Sequence, residues 1–200
     1  MILSFSRRFI LASRSPRRLR LLEQLGLHPE VIPSTLSEEF DSSLSVEDNI
    51  RSFAELKAKT VAENIGDGII VGADTLVVLD KVVLGKPIDS ADAFNMLRKL
   101  SGKMHSVLTA FCVYATPEER SFTAVETTDV YFKQLSDEEI ERYISTEKPF
   151  DKAGSYGIQD RTALFVEKIK GSYENVMGFP LSRFYRAMKD KENVNSLNLS

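Results

Sequence analysis

Apart from Asp74 and Thr75, residues 69–79 carry only aliphatic side chains and one glycine. A run so rich in valine, isoleucine and leucine reads as a buried strand, interrupted at Asp74-Thr75. Buried strands need cover, and the sequence before and after this one supplies amphipathic stripes. Ile50, Phe53, Ala54, Ala58, Val61, Ala62 and Ile65 fall at three-and-four spacing, which predicts a long helix. Ser45 is its predicted N-cap, with Asp48 at the third helical position, and Gly66-Asp67-Gly68 ends it.

The rest of the chain alternates in the same way. Residues 9–13 predict a first strand, followed by Ser15 and Pro16 as the cap and first residue of a helix. Leu21, Leu22 and Leu25 face inward from that helix, and Gly26 closes it. Residues 30–33 predict a short strand and 34–45 a polar loop. After a turn at Asp80-Lys81 come strand residues 82–84 and the rigid turn Gly85-Lys86-Pro87. Ser90 is the predicted cap of a helix carrying Ala93, Phe94, Met96, Leu97 and Leu100, which Gly102 stops. Residues 106–115 and 122–132 predict a long hairpin. Ser136 and Glu139 form a capping box for a helix ending near Thr146. A polar, glycine-containing stretch at 151–159 precedes a strand at 163–169 and a final helix at 180–189. The expected fold is α/β, three-layered, with a central mixed sheet.

A chain of 200 residues, 42% hydrophobic and 28% charged, suits one domain with a substantial core. The expected organisation is one domain over 1–190, with two lobes around a cleft, and a polar tail at 191–200. Basic and acidic residues number 26 and 29, a net charge of -3, so no general positive field favours nucleic acid or an anionic membrane. Any phosphate must be met locally. Arg7 and Arg8 precede only a short apolar segment, far below the ~20 residues of a spanning helix, so a cytoplasmic location is expected. The single Cys112 lies in an apolar run and reads as a buried, reduced thiol.

Four places carry chemistry. Ser13-Arg14-Ser15-Pro16-Arg17-Arg18 joins a strand to a capped helix whose first turn holds two guanidinium groups. Helix N-termini attract anions, and arginine pairs with phosphate oxygens bidentately. Asp74, if desolvated, must be paired, metal-bound or facing a cleft. Glu38 and Glu39 offer further carboxylates. With only His28 and His105 in the chain, carboxylate-bound Mg²⁺ or Mn²⁺ suits the sequence better than a histidine-rich zinc site. Lys57 sits on an apolar stripe, where it either snorkels or serves a site; Lys86, in its tight turn, projects into one. Ser13, Arg17, Arg18, Lys57 and Lys86 thus form the candidate phosphate-binding set, with Asp74 and Glu38 as candidate metal ligands. No Gly-x-x-x-x-Gly-Lys-Ser/Thr loop is present, which excludes a P-loop enzyme. In the fourth place, 151–159 together with 171–176, glycines allow close backbone approach and the Gln159 amide offers a donor and an acceptor to a base edge. Tyr156 and Tyr173 read as packing residues and His105 as a structural hydrogen-bonding group.

Leu11-Ala12-Ser13-Arg14-Ser15-Pro16-Arg17-Arg18, Gly72-Ala73-Asp74-Thr75, Gly85-Lys86-Pro87, Leu100-Ser101-Gly102 with His105, Asp151-Lys152-Ala153-Gly154, Tyr156-Gly157-Ile158-Gln159 and Gly171-Ser172-Tyr173 with Asn175-Val176 follow one another in an order and spacing that resembles the Maf nucleotide pyrophosphatases. The resemblance spans roughly 9–190. It implies a fold related to the inosine triphosphate pyrophosphatases, a cytoplasmic homodimer, divalent-metal dependence, and release of pyrophosphate from nucleoside triphosphates. Within it, Asp74 resembles the proton acceptor, and Arg18, Thr75 and Gln159 resemble the markers of a subgroup acting on dTTP and UTP. Two other readings stay open: a 7-methyl-GTP pyrophosphatase of the same family, and a non-catalytic nucleotide-binding regulator of septum formation. The chain departs from the family pattern at Asp160-Arg161, where glycine is common after Gln159, and at Phe179, where leucine is usual.

Overall fold

A computed structural model describes residues 3, 5–36, 39–190 and 193, so Glu38 and nearly all of the 191–200 tail lie outside the described residues. The chain runs through β1 (Phe9–Leu11), α1 (Pro16–Gln24), β2 (Glu30–Val31), α2 (Val46–Ala62), β3 (Gly68–Leu79), β4 (Val82–Leu84), α3 (Ser90–Leu100), β5 (Met104–Thr116), β6 (Arg120–Phe132), α4 (Asp137–Glu147), β7 (Val166–Lys170), α5 (Tyr173–Met177) and α6 (Leu181–Lys189). Short 3-10 turns occupy Ala153–Ser155 and Arg161–Leu164. The strands form a mixed sheet in the order β2-β1-β3-β5-β6-β7, with β4 on β3. The α/β expectation with a central mixed sheet therefore holds. Among the described residues no helix is long and apolar enough to cross a membrane.

The chain divides into two compact units, the first comprising 1–74, 109–126 and 178–200, the second 75–108 and 127–177. In the first, β1 pairs in parallel with both β2 and β3, Ile10 opposite Glu30 and Ile70. Ser15 caps α1 and Pro16 opens it, as the sequence predicts. Helix α2 lies directly on β3 because position 72 has no side chain: a Cβ there would stand 2.2 Å from Ala54 O and 2.7 Å from Ala58 N. Phe111, Phe179 and Phe184 form a fully buried ring cluster, with centroids 5.2–5.7 Å apart. Phe179 is thus a packing residue, its larger ring matched to two other rings.

In the second unit β3 turns into β4, pairing Val77 with Leu84, and α3 and α4 pack on each other beside a core that includes Leu97, Val130, Phe132, Ile140 and Tyr156. Helix α4 has the capping box of Ser136 and Glu139. Asn175 of α5 donates to Val107 O at 2.9 Å and Thr128 Oγ1 at 3.0 Å, tying α5 to β5 and β6.

Three local expectations change. Strand β3 is continuous through Asp74-Thr75, because its backbone ladder does not depend on side-chain polarity. Asp89, not Ser90, caps α3: its carboxylate accepts from Asp92 N at 2.8 Å and Ser90 becomes the first helical residue. The strand expected at 163–169 begins only at Val166, since Arg161–Leu164 form a 3-10 turn that leaves Leu164 exposed.

Candidate active site

The centre of the first unit is Asp74. It leaves β3 on the same face as Gly72, two residues earlier, and that face is the one α2 covers. The close approach that glycine permits brings Lys57 of α2 within reach, so Lys57 Nζ lies 2.8 Å from Asp74 Oδ1. Lys57 therefore does not snorkel to the surface; its side chain is 12% exposed and ion-paired. Arg18, at the third position of α1, adds a second cation, with Nη2 4.0 Å from the same carboxylate oxygen. Asp74 Oδ2 is buried and has no hydrogen-bond partner among the described residues.

Arg18 is itself held. Its Nη1 donates to Ser13 Oγ at 3.0 Å and its Nε to Gly178 O at 2.9 Å. Ser13 Oγ also accepts from Ser15 N at 3.2 Å, so the loop between β1 and α1 is fixed around the guanidinium. The arginine is 9% exposed, and its donors brace the site as much as they offer themselves to a ligand. Among the described residues Asp74 is the carboxylate that both cations face. The N-terminus of α1 adds a partial positive charge nearby, which together describes a receptor for an anion carrying more than one negative charge. Arg17 is half-buried beside it.

The remaining expected residues stand as follows. Thr75 is half-buried, and strand alternation sends its side chain to the sheet face opposite Asp74. Glu39 is exposed. In the second unit Lys86 is exposed on its turn, which is anchored where Gly154 N donates to Gly85 O at 2.9 Å. Gln159 is exposed in the turn that Asp160 N closes onto Gly157 O at 2.9 Å. Lys152 is a charged group the sequence reading passed over. Its ammonium lies 2.8 Å from Asp151 Oδ1 and 3.5 Å from Asp160 Oδ2.

His105 and Tyr156 behave as structural groups. His105 Nε2 meets Tyr156 Oη at 2.7 Å, both residues being buried. Burial pushes the imidazole down to about 4, against a small opposing pull from Asp129, so it is neutral at pH 7. Tyr173 is 41% exposed and is not a core residue. Burial likewise pushes the Cys112 thiol up to about 12, which leaves it inert, as the apolar run implies.

Known proteins resemble this chain along most of its length. The model of the family described as Maf-like protein matches residues 8–191. A dTTP/UTP pyrophosphatase of Caldicellulosiruptor bescii is 50% identical over 181 residues, covering 88% of this chain and 91% of that one. One from Alkaliphilus oremlandii is 44% identical over 192 residues, 96% of this chain and 100% of its own length. Another from Bacillus cereus is 45% identical over 183 residues, with coverage of 92% and 95%. Matches along almost the whole length, with the Asp74, Lys57 and Arg18 centre inside them, mean that the chain belongs to the Maf-like protein family.

Proposed function

We propose that this chain hydrolyses dTTP and UTP to the nucleoside monophosphate and pyrophosphate. The observation that carries the reading is the buried Asp74 carboxylate, one oxygen ion-paired with Lys57 and the other without a hydrogen-bond partner among the described residues. In the proposed step a water oxygen bonds to the α-phosphorus while the bond from that phosphorus to the bridging oxygen breaks. Pyrophosphate leaves, and the water's proton passes to the Asp74 carboxylate. Lys57 pairs with the carboxylate and orients it. Lys57, Arg18, Arg17, Lys86 and the Ser13 loop counter the charge of the phosphates, which is where stabilisation in such reactions comes from.

The donor set fits a hard divalent cation, since Asp74 offers a buried carboxylate oxygen and Mg²⁺ or Mn²⁺ is commonly held by one or two carboxylates plus substrate phosphates. Asp74, with Glu38, would hold it, and the cation would neutralise phosphate oxygens. Gln159 is proposed to read the imide edge of uracil or thymine, with Thr75 and Arg18 setting the nucleotide's position. A homodimer in the cytoplasm is proposed with this reading; a solution mass equal to the 22.5 kDa of one chain would overturn the dimer.

The test is a panel of nucleoside triphosphates, 7-methyl-GTP included, assayed for pyrophosphate release by wild type and by Asp74→Asn. Fastest release from dTTP and UTP, lost in the variant, is expected. Release from none of the panel sinks the proposal, and fastest release from 7-methyl-GTP replaces its substrate.

A further inference from the structure

Beneath the turn that presents Gln159 lies an ion cluster for which the catalytic reading has no use. Residues 157–160 form a hydrogen-bonded turn, Asp160 N to Gly157 O at 2.9 Å, with Gln159 as its exposed third residue. The Asp160 side chain folds back over Gly157, where a Cβ would stand 2.6 Å from Asp160 Oδ2, 3.0 Å from Gln159 Nε2 and 3.0 Å from Lys152 Cε. The ends of three side chains therefore converge on the one position that has none. Asp160 Oδ2 is buried without a hydrogen-bond partner among the described residues, and the Lys152 ammonium, 3.5 Å away, is the charge that faces it. Lys152's other carboxylate, Asp151, is 58% exposed on its side chain, whereas Asp160 is only 19% exposed. Screening weakens the first pairing more than the second.

We infer that Asp160 is a positioning residue for Gln159: by pairing with Lys152 it clamps the 157–160 turn and fixes the direction in which the Gln159 amide is offered to a base. The inference rests on the proposed role of Gln159 in base reading. An amide on a clamped turn discriminates between base edges because it reaches them from one fixed position, which limits the edges it can pair with. An amide on a loosened turn adapts, and discrimination falls. The clamp acts through charge and position and touches no phosphate, so its loss shows in the ratio between nucleotides.

The experiment measures kcat/KM for dTTP, UTP and GTP in wild type, Asp160→Asn, Lys152→Gln and the double variant, with thermal melts of each. Asp160→Asn is expected to lower the dTTP-to-GTP ratio by about two- to fivefold, the worth of one partly exposed ion pair. Lys152→Gln should do the same, and the double variant should lose no more than either single variant, because both remove one interaction. Gly157→Ala is the second route: its Cβ displaces the same three side-chain ends with every charge retained, and it should lower the ratio too. Parallel loss for all three nucleotides at constant ratio, or additive effects in the double variant, overturns the inference. If wild type releases pyrophosphate from none of them, the failure belongs to the proposed function; a wild-type preference that survives all four variants removes the clamp alone.

Discussion

Lys57 and Asp74 depend on each other, and removing either charge has a calculable direction. Lys57→Met leaves the carboxylate with Arg18 at 4.0 Å as its cation, less well oriented and less fully neutralised. Turnover should fall on the order of a hundredfold, with KM for the triphosphate rising as one cation is lost; steady-state kinetics with a retained melting profile checks this. A folded variant at near wild-type rate would show that the pair is structural. His105 gives a pH prediction. Its folded value of about 4 lies below the ordinary 6.5, so between those values the unfolded chain binds a proton that the folded chain excludes. This stability is fully present above pH 6.5 and is lost as pH falls towards 4, by at most about 3 kcal/mol. His105→Gln, which can still meet Tyr156, should flatten that part of the urea-unfolding profile against pH; an unchanged slope would place the acid sensitivity elsewhere. Asp74 was legible in the sequence because a charge inside an aliphatic run demands a partner. Lys57 was left undecided, since a stripe position cannot say whether the ammonium turns inward. The bracing of Arg18 was illegible because its acceptor is a backbone carbonyl 160 positions away.

Gly72 does for a helix and a strand what no side chain could, letting α2 and β3 approach until Lys57 reaches Asp74. Gly72→Ala places a methyl 2.2 Å from the Ala54 carbonyl and 2.7 Å from Ala58 N, both backbone atoms that cannot step aside as side chains do. Either α2 shifts outward or β3 bends, at a cost of about 3 kcal/mol or more, and the 2.8 Å ion pair opens. The melting temperature and turnover should therefore fall together, and a variant with both intact would mean that α2 tolerates the displacement. Helices declared their ends well: Ser15, Ser45 and Ser136 all cap where a hydroxyl precedes a periodic run. Asp89-Ser90 offered two adjacent capping side chains, and composition cannot choose between neighbours that differ by one residue in phase. Residues 163–169 misled for another reason. The whole stretch was read as one strand, yet Leu164 is 72% exposed and Arg161–Leu164 form a 3-10 turn before β7 begins.

Across the whole chain, strand content could be read from apolar runs, but the order β2-β1-β3-β5-β6-β7 could not, because pairing partners are chosen by register between segments far apart in sequence. Which segments make up each of the two compact units was equally hidden, since β3, β5 and β6 each contribute residues to both. The net charge of -3 likewise says nothing of the cations gathered at Asp74, and it is that carboxylate which a protein that only holds nucleotide would not need. Asp74→Asn keeps the volume of the side chain and removes its charge, leaving Lys57 and Arg18 with less to neutralise them. The unliganded variant should melt below wild type, since a buried ion pair broken on one side costs about 3–5 kcal/mol. Inorganic pyrophosphate in the presence of a chelator should then stabilise the variant more than wild type, because the anion restores the charge that was taken away. At a hundred times its dissociation constant a ligand contributes about 2.7 kcal/mol, a rise of roughly 5–10 °C for a chain of this size. Wild type with metal should consume dTTP while the variant binds it without turnover. Nucleotide that survives incubation with metal-loaded wild type would favour the non-catalytic regulator, and an equal or smaller pyrophosphate shift in the variant would show that Lys57 and Arg18 do not face the phosphates.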